Sequence, residues 1–226
     1  MEEIKTFYNS NKFPGTYSKE SLEYHWPTIK NPYLKIIDTA LTDNISIIDI
    51  GCGSGLISNL FAKKYPSSKF LGIDFSDSID HAVKISQQLE LKNLSFIKQD
   101  FINFNNEEQY DVVICQGVLH HIPDYKNAAI KLKKLVKPNG LLVLGVYHPL
   151  GKIVKKYFNI DYKSKVLHDD QELNPFETTF DYLTVAEMFS EFTLCRKYPS
   201  FFGSVTISSI FNYKNGELVT YVFQKN

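Results

Sequence analysis

The sequence predicts an α/β fold with three layers, in which helices wrap a doubly wound, mostly parallel sheet of seven strands. Short apolar runs alternate with helical patterns from residue 45 onward, as expected for parallel strands joined by right-handed crossovers. A glycine-rich turn follows the first run, where a buried strand passes into a helix. The dipeptide Asn215-Gly216 predicts a hairpin before the last run, which makes the last strand antiparallel.

The first three strands are recognised from their apolar spacing and from the residues that end each element. The almost continuous apolar run at 45–50 is typical of a strand buried on both faces. Pro66 ends the helix that follows, and Ser76 is the predicted N-cap of the next helix. The predicted strands of this half cover residues 45–50, 69–73 and 94–98, and the predicted helices cover 56–65 and 76–91.

The second half continues the alternation. Lys137-Pro138-Asn139-Gly140 predicts a turn, because proline cannot continue the preceding helix. The strongly apolar run after this turn predicts a buried strand. The predicted strands of this half cover residues 111–115, 141–146, 192–197 and 218–223, and the predicted helices cover 124–136 and 184–191.

The whole chain, 1–226, is expected to form one domain with four parts. Residues 43–147 form the alternating core, and residues 184–226 add a helix and the last strands. Residues 1–42 hold two short helical patterns rich in aromatic residues and form an N-terminal helical cap. Residues 148–183 are polar and irregular, and we expect them to form a lid insertion because ordinary connections are much shorter.

The charge composition disfavours several classes of partner. The 25 basic and 25 acidic side chains balance, and Arg196 is the only arginine. A protein that mainly neutralises a nucleic-acid backbone needs an excess of Lys and Arg, so we expect no DNA partner and disfavour RNA. No apolar stretch reaches the roughly 20 residues that span a bilayer, and the polar N-terminus does not resemble a secretory signal.

The cysteines and acidic residues predict no metal site. Cys52, Cys115 and Cys195 are widely spaced and form no C-x-x-C pair, which disfavours both a disulfide framework and structural zinc. Free thiols are typical of a reducing, cytoplasmic setting. His168 with Asp169-Asp170 has metal-binding side chains without a spaced partner, so we interpret this segment as part of a solvated lid.

The glycine-rich turn and the end of the second strand together predict a nucleoside-binding site. The turn runs from Asp49 to Gly55, and glycines there let the backbone approach a ligand. Asp74 ends the next strand, where a carboxylate accepts hydrogen bonds from both hydroxyls of a ribose. Leu56 stands where the dinucleotide fingerprint has its third glycine, and Asp49 would repel a pyrophosphate. The pattern favours a ligand with an ammonium group and no phosphate.

These and later motifs resemble the class I S-adenosylmethionine-dependent methyltransferases. The similarity rests on the string IIDIGCGSG, on Asp74 and Asp100 at the ends of the second and third strands, on CQGVLHHIPD after the fourth, and on KPNG before the fifth. It covers residues 44–147 closely, and the antiparallel last strand fits the Rossmann-like methyltransferase fold. The motifs are specific to the superfamily and not to a substrate.

The resemblance implies a role for each residue of these motifs. The turn would lie under the methionine part of S-adenosyl-L-methionine with Asp49 near its amino group, Asp74 would hold the ribose, and Asp100 would meet the adenine amino group. The stretch from Gln116 to His121 would face the methyl group and the acceptor. The implied cofactor-binding residues are Asp49, Gly51, Cys52, Gly53, Gly55, Asp74, Phe75, Ser76, Asp100, Phe101, Gln116, Gly117 and Val118.

Methyl transfer from a sulfonium is an in-line displacement, so a base is needed only when the acceptor must lose a proton. A histidine with a pKa near about 6.5 suits that role. The candidates at the ligand-binding edge of the sheet are His120, His121, Tyr147 and His148. Capping or packing is an equal alternative for His120 and His121, which open a helix.

The acceptor is expected to be a small molecule that offers an O, N or C nucleophile. The fourth strand lacks both the Asn/Asp-Pro-Pro-Tyr motif of amino-directed DNA and protein methyltransferases and the Pro-Cys nucleophile of cytosine-C5 enzymes. The aromatic side chains of Tyr8, Tyr17, Tyr24 and Trp26 are candidates to line the pocket, with ordinary helix packing as the alternative. Lysines within 152–165 leave an anionic acceptor open.

Two other functions remain open at this point, together with the assembly state. One is a tRNA or protein methyltransferase with the same core, and the other is a non-catalytic protein that binds S-adenosylmethionine. A nicotinamide dehydrogenase is a more distant alternative. A monomer and a homodimer are equally compatible with the sequence.

Overall fold

The computed structural model describes residues 2–10, 15–25, 29, 31–149, 176–198 and 218–226. The helices of this part of the chain are α1 (Glu2–Ser10), α2 (Lys19–His25), α3 (Pro32–Asp38), α4 (Leu56–Lys64), α5 (Ser78–Gln88), α6 (Tyr125–Leu135) and α7 (Tyr182–Met188). The strands are β1 (Ser46–Ile50), β2 (Lys69–Asp74), β3 (Leu94–Lys98), β4 (Tyr110–Gln116), β5 (Val136–Tyr147), β6 (Phe192–Tyr198) and β7 (Leu218–Lys225). Short 3₁₀ turns follow β3 and β4, at Phe101–Asn103 and Leu119–His121.

The strands form one seven-stranded sheet in the order β3-β2-β1-β4-β5-β7-β6. Neighbouring strands are parallel except at β7, which is antiparallel to both β5 and β6. The predicted fold class is therefore confirmed. The chain order reverses between β1 and β4, and ligands of such sheets bind at this crevice, beyond the carboxyl ends of the strands.

The sheet separates two apolar clusters because successive side chains of a strand point to opposite faces. Ile47 of β1 packs with Ile37 of α3 and Phe61 of α4 on one face. Ile48 belongs to the cluster on the other face, which includes Leu132 of α6. Because both faces are covered, the central strands are apolar along most of their length, as the sequence predicted.

Two predicted boundaries were wrong. Helix α5 begins at Ser78 with Asp77 as its N-cap, two residues after the predicted start. The hydroxyl of Ser76 donates to Asp74 Oδ1 at 2.7 Å, and its oxygen accepts from the N–H of Ser78 at 3.4 Å. The predicted turn at 137–140 is an irregular segment inside β5, where Asn139 has a φ of 62°. The pairing of β4 with β5 shifts register at the start of this segment.

The N-terminal cap contains three helices among its described residues rather than the two that its patterns predicted. Helix α3 begins with Pro32, and the side chain of Asn31 caps it by accepting from the backbone N–H of Tyr33 at 2.9 Å. The predicted turn at Asn215-Gly216 and residues 150–175 of the lid insertion, including Asp169-Asp170, lie outside the described residues. Across the described ranges, no helix is long and apolar enough to cross a membrane.

Candidate active site

The glycine-rich turn between β1 and α4 brings three parts of the fold together. Gly51, Gly53 and Gly55 have φ values of 68°, 53° and 79°, a region that glycine adopts without strain. The backbone N–H of Gly51 donates to the carbonyl of Ile73 in β2 at 2.7 Å. A Cβ atom on Gly51 would lie 2.3 Å from Cγ2 of Val118, which follows β4. Any larger residue at position 51 would therefore separate the turn from Val118.

Asp74 ends β2 with its carboxylate beside the turn. Its Oδ2 accepts from the N–H of Gly53 at 2.7 Å, and its Oδ1 accepts from the N–H and the hydroxyl of Ser76 at 2.8 and 2.7 Å. Burial raises the pKa of Asp74 in spite of these bonds. The N–H of Phe75 also contributes a hydrogen bond to this carboxylate, so most of its about four acceptor positions already serve the fold.

Asp49 lies under the turn and is only 3% exposed. The hydroxyl of Ser58 donates to Asp49 Oδ2 at 2.6 Å. Burial raises the pKa of Asp49 to about 7, and the nearby charge of Asp74 adds to this effect, while the Ser58 bond opposes it. Asp49 is therefore close to half ionised at neutral pH, and a cation placed beside it would favour the charged form.

Two cavities meet at the turn. The first, here called the β2-side cavity, is lined by ten of the predicted cofactor-binding residues: Gly51, Gly53, Asp74, Phe75, Ser76, Asp100, Phe101, Gln116, Gly117 and Val118. Of the three other predicted residues, Asp49 and Cys52 line the second cavity, and Gly55 is the N-cap of α4 and lines neither. One oxygen of Asp100 is already used, because Oδ1 accepts from the N–H of Ile102 at 2.9 Å.

Helix α1 covers the β2-side cavity. Ile4 and Tyr8 line it, and they stand one helical turn apart on α1. The ring of Tyr8 lies 6.1 Å from that of Phe75 and 5.9 Å from that of His121. The side-chain oxygen of Asn9 accepts from the N–H of Asp77 at 2.8 Å and joins α1 to the start of α5. The sequence reasoning missed Ile4, although its spacing from Tyr8 was a usable signal.

The second cavity, here called the β5-side cavity, lies between the turn, α3 and the ends of β4 and β5. It shares Gly51, Gly53, Gln116 and Gly117 with the first. The residues that sequence reasoning missed are Asn31, Tyr33, Leu34, Ile37, Leu56, Ile57 and Leu218. Most of these side chains are apolar or aromatic, and they come from α3, α4 and β7, so no local motif could identify them.

Two residues at the end of β4, Gln116 and Gly117, line both cavities. Gly117 has a φ of 79°, and a Cβ atom there would meet no atom within 4 Å. The amide of Gln116 lies against Gly145 of β5, where a Cβ atom would come within 2.4 Å of it. Gln116 Nε2 donates to Thr220 Oγ1 in β7 at 2.8 Å. Gly117 therefore leaves open space beside the amide group of Gln116, whose position is fixed by its hydrogen bond to Thr220.

The four candidate catalytic residues separate into two groups. His121 lines the β2-side cavity and Tyr147 lines the β5-side cavity, while His120 and His148 line neither. His120 is fully buried, and its Nδ1 accepts from the N–H of Tyr147 at 3.4 Å, so the neutral ring carries its proton on Nε2. His121 Nδ1 lies 3.3 Å from the carbonyl of Phe176, which can only accept, so Nε2 is its basic nitrogen. Burial lowers the pKa of the half-buried His148.

Among the candidates for substrate binding, Tyr8 lines the β2-side cavity, whereas Tyr17 is placed differently from that expectation. Tyr17 lines neither cavity and lies behind the glycine turn, where its hydroxyl donates to the carbonyl of Ser54 at 3.0 Å. Trp26 and the side chain of Tyr24 lie outside the described residues.

A sequence profile described as a methyltransferase domain matches residues 41–197, more than half of the chain. The chain belongs to the methyltransferase domain family. This membership confirms the resemblance to the class I methyltransferases.

Named relatives of this methyltransferase-domain protein include two small-molecule enzymes. It is 30% identical to a ubiquinone biosynthesis O-methyltransferase of Rickettsia bellii (strain OSU 85-389), over 66% of this chain and 60% of the relative. It is 26% identical to the (S)-coclaurine N-methyltransferase of Papaver somniferum, over 63% of this chain and 41% of that one. The chain therefore spans about half the length of these relatives.

A solved structure shows the same fold. The magnesium protoporphyrin IX methyltransferase of Synechocystis PCC 6803, determined with bound S-adenosylhomocysteine, superimposes with a TM-score of 0.66 at 16% identity and covers 99% of this chain and 98% of its own. At this identity the likeness concerns the fold alone. The residues of this chain nevertheless fit the cofactor: the buried carboxylate of Asp74 lines the β2-side cavity, and Gly117 leaves space that a side chain would fill.

Proposed function

We propose that this protein is a methyltransferase that binds S-adenosylmethionine across the two cavities and transfers its methyl group to a small molecule. The observation that carries the proposal is the position of Asp74. Its carboxylate, nearly buried at 7% exposure, lines the β2-side cavity beside a turn whose glycines a side chain would displace. A carboxylate at this place suits a ribose hydroxyl.

The other predicted roles extend this arrangement along the cleft. Phe75 and Phe101 would border the adenine, and Asp100 would accept from its amino group through Oδ2, since Oδ1 already accepts from Ile102. Asp49 would face the amino group of the methionine part from below the turn. The cofactor has a net positive charge, so three carboxylates around one cleft favour it over a phosphate-bearing nucleotide.

When bound, S-adenosylmethionine supplies a methyl group already activated by its sulfonium. The protein then has to align the acceptor and exclude water. The apolar walls of the β5-side cavity, including Tyr33, Leu34 and Leu218, suit both tasks. If the acceptor is an O–H or N–H group, His121 Nε2 and Tyr147 are the preferred proton acceptors, because His120 Nδ1 is occupied and His148 lies outside both cavities.

A small-molecule acceptor is supported by the names of the two relatives and by the apolar cavity. Balanced charge supports the absence of a DNA or RNA partner. Cys52, Cys115 and Cys195 are free thiols, which supports a reducing, cytoplasmic location. We propose that the protein acts as a monomer or as a homodimer.

Calorimetric titration tests the cofactor part of this proposal. Both S-adenosylmethionine and S-adenosylhomocysteine should bind at micromolar concentration or below, and NAD should not. Absence of binding by both adenosyl ligands would overturn the proposal, and preference for NAD would favour a dehydrogenase.

Release of S-adenosylhomocysteine from fractionated metabolites tests the transfer itself. Turnover should require a low-molecular-weight fraction. Turnover only with tRNA or protein fractions would favour a tRNA or protein methyltransferase. Binding without any turnover would favour a non-catalytic protein that binds S-adenosylmethionine. Undiminished turnover after His121→Ala and Tyr147→Phe would remove both residues as bases.

A further inference from the structure

Tyr17 contacts the glycine-rich turn but lines neither cavity. Its hydroxyl donates to the carbonyl of Ser54 at 3.0 Å and accepts from Asn59 Nδ2 at 3.1 Å. Its backbone N–H donates to His81 Nε2 at 3.4 Å, and the two rings lie 5.1 Å apart. The segment between α1 and α2 is therefore joined to the turn and to α5 by one residue.

Asn59 extends these contacts to the rest of the turn. It is fully buried in α4, and its Nδ2 lies 3.1 Å from the carbonyls of both Gly55 and Ala82. A Cβ atom on Gly55 would come within 2.4 Å of Ala82 Cβ, so the turn is packed tightly between α4 and α5. Tyr17 completes this group from outside the core.

The hydroxyl of Tyr17 remains a donor at every physiological pH. Burial raises its pKa well above the usual range of tyrosine, and the charge of Asp49 acts in the same direction. The protonated hydroxyl supplies the single hydrogen that the carbonyl of Ser54 accepts. A phenylalanine would keep the packing and lose both hydrogen bonds of the hydroxyl.

We infer that Tyr17 is a positioning residue for the cofactor-binding turn. Through Ser54 and Asn59 it holds the backbone next to Gly53, which lines both cavities, and so couples docking of the N-terminal segment to cofactor affinity. The inference rests on the proposed function, because it needs the methionine part of the cofactor to lie on this turn. It gives Tyr17 a role in cofactor binding although Tyr17 touches neither cavity.

The test compares Tyr17→Phe with Tyr65→Phe in the full chain. Tyr65 is a matched control because its hydroxyl donates to Asp38 Oδ1 at 2.8 Å, between α3 and α4 and outside both cavities. Affinities for S-adenosylhomocysteine and for 5′-methylthioadenosine, which lacks the amino-acid part, are measured by calorimetry. Loss of the hydrogen bonds that position the turn should cost about 0.5–1.5 kcal/mol of binding free energy. This cost predicts roughly two- to twelvefold weaker binding of S-adenosylhomocysteine by Tyr17→Phe. Methylthioadenosine should lose less, and Tyr65→Phe should bind both as the wild type does.

The inference would be overturned if Tyr17→Phe bound both ligands equally more weakly, or if its affinity for S-adenosylhomocysteine were unchanged. In either case, binding of S-adenosylhomocysteine by the wild type would still support the proposed function. If the wild type does not bind S-adenosylhomocysteine, both fail together. Hydrogen exchange on the wild type gives a second measurement that does not depend on a variant. S-adenosylhomocysteine should slow exchange in residues 15–25 as well as in the turn, and protection confined to the turn would contradict the coupling.

Discussion

The β2-side and β5-side cavities share the glycine turn, but different kinds of contact define them. On the β2 side, neighbouring strand ends hold one another, as when the N–H of Gly53 donates to Asp74. On the β5 side, side chains from distant parts of the chain meet, and Tyr33 of α3 donates its hydroxyl to the carbonyl of Leu218 in β7 at 2.9 Å. The polar wall of the first cavity is thus built from adjacent strand ends under a cover from α1, whereas the second depends on how α3 and β7 pack.

This difference explains why the two sides carry different information about function. The fold determines where the backbone groups at the strand ends lie, so these groups suit the ligand that goes with the fold. Side chains on α3 and β7 can differ from one protein to another with the acceptor. We therefore expect substitutions on the β2 side to change cofactor affinity strongly. Apart from Asp49, which faces the cofactor, substitutions confined to the β5 side should act mainly on the acceptor.

The largest effect is expected for Gly51→Ala. The new Cβ atom would lie 2.3 Å from Val118 Cγ2, at a residue with a φ of 68°. Overpacking and left-handed strain together should lower the free energy of unfolding by about 2–4 kcal/mol. Displacement of the turn should weaken binding of S-adenosylhomocysteine by roughly 100-fold or more, since about 2.7 kcal/mol of lost contact suffices. Urea unfolding and calorimetry measure the two effects.

Gly117→Ala is the matched control. Its φ of 79° carries a similar backbone penalty, but the Cβ atom meets nothing within 4 Å. The variant should lose only about 1 kcal/mol of stability, and its methyl group should hinder the cofactor by entering open space. Equal destabilisation of the two variants would show that contact with Val118 does not define the turn.

Asp74→Asn should have the next largest effect. The carboxylate of Asp74 accepts hydrogen bonds from the N–H groups of Gly53 and Ser76. The amide of asparagine would instead turn its own N–H groups toward one of these donors. Loss of one charged hydrogen bond, at about 1.5–3 kcal/mol, predicts roughly 10- to 150-fold weaker binding of S-adenosylhomocysteine. Tyr33→Ala, on the β5 side, should change this affinity less than twofold. A larger change in Tyr33→Ala than in Asp74→Asn would reverse the comparison between the cavities.

The sequence was informative where a site is built from strand ends. Asp49, Asp74 and Asp100 lie at or just beyond the ends of successive strands, and parallel strands bring their carboxyl ends to one edge, so their proximity followed from order alone. Ser76 shows the limit of local reasoning: its hydroxyl oxygen accepts from the N–H of Ser78, but its hydrogen is donated to the buried carboxylate of Asp74, a contact in the site that capping rules alone do not predict. The walls from α3 and β7 depend on packing between segments far apart in sequence, which no turn or periodicity encodes.

A moderate pH effect is expected from Asp49. With a pKa of about 7 before binding, its carboxyl is mostly neutral at pH 6 and mostly ionised at pH 8. Only the ionised form attracts an ammonium group, so affinity for S-adenosylhomocysteine should be roughly tenfold lower at pH 6 than at pH 8. At pH 7, binding should release about half a proton, which calorimetry in buffers of different ionisation enthalpy measures.

Asp49→Asn separates this effect from the titration of Asp74, whose pKa is also raised. The variant should bind weakly at pH 8 and lose most of the pH dependence between 6 and 8. A profile that keeps its full slope in the variant would assign the titration to another group of the cleft.

The smallest effect is expected for Asp100→Asn, because one oxygen of Asp100 already serves the fold. The amide oxygen can still accept from the N–H of Ile102, so the 3₁₀ turn at Phe101–Asn103 should remain. The amide nitrogen would then face the adenine amino group, and loss of one hydrogen bond predicts roughly two- to twelvefold weaker binding. S-inosylhomocysteine, which has a carbonyl in place of that amino group, should recover affinity in the variant relative to the wild type. If both proteins show the same preference between the two ligands, Asp100 does not read the adenine, and that end of the β2-side cavity is set by packing against Phe75 and Phe101 alone.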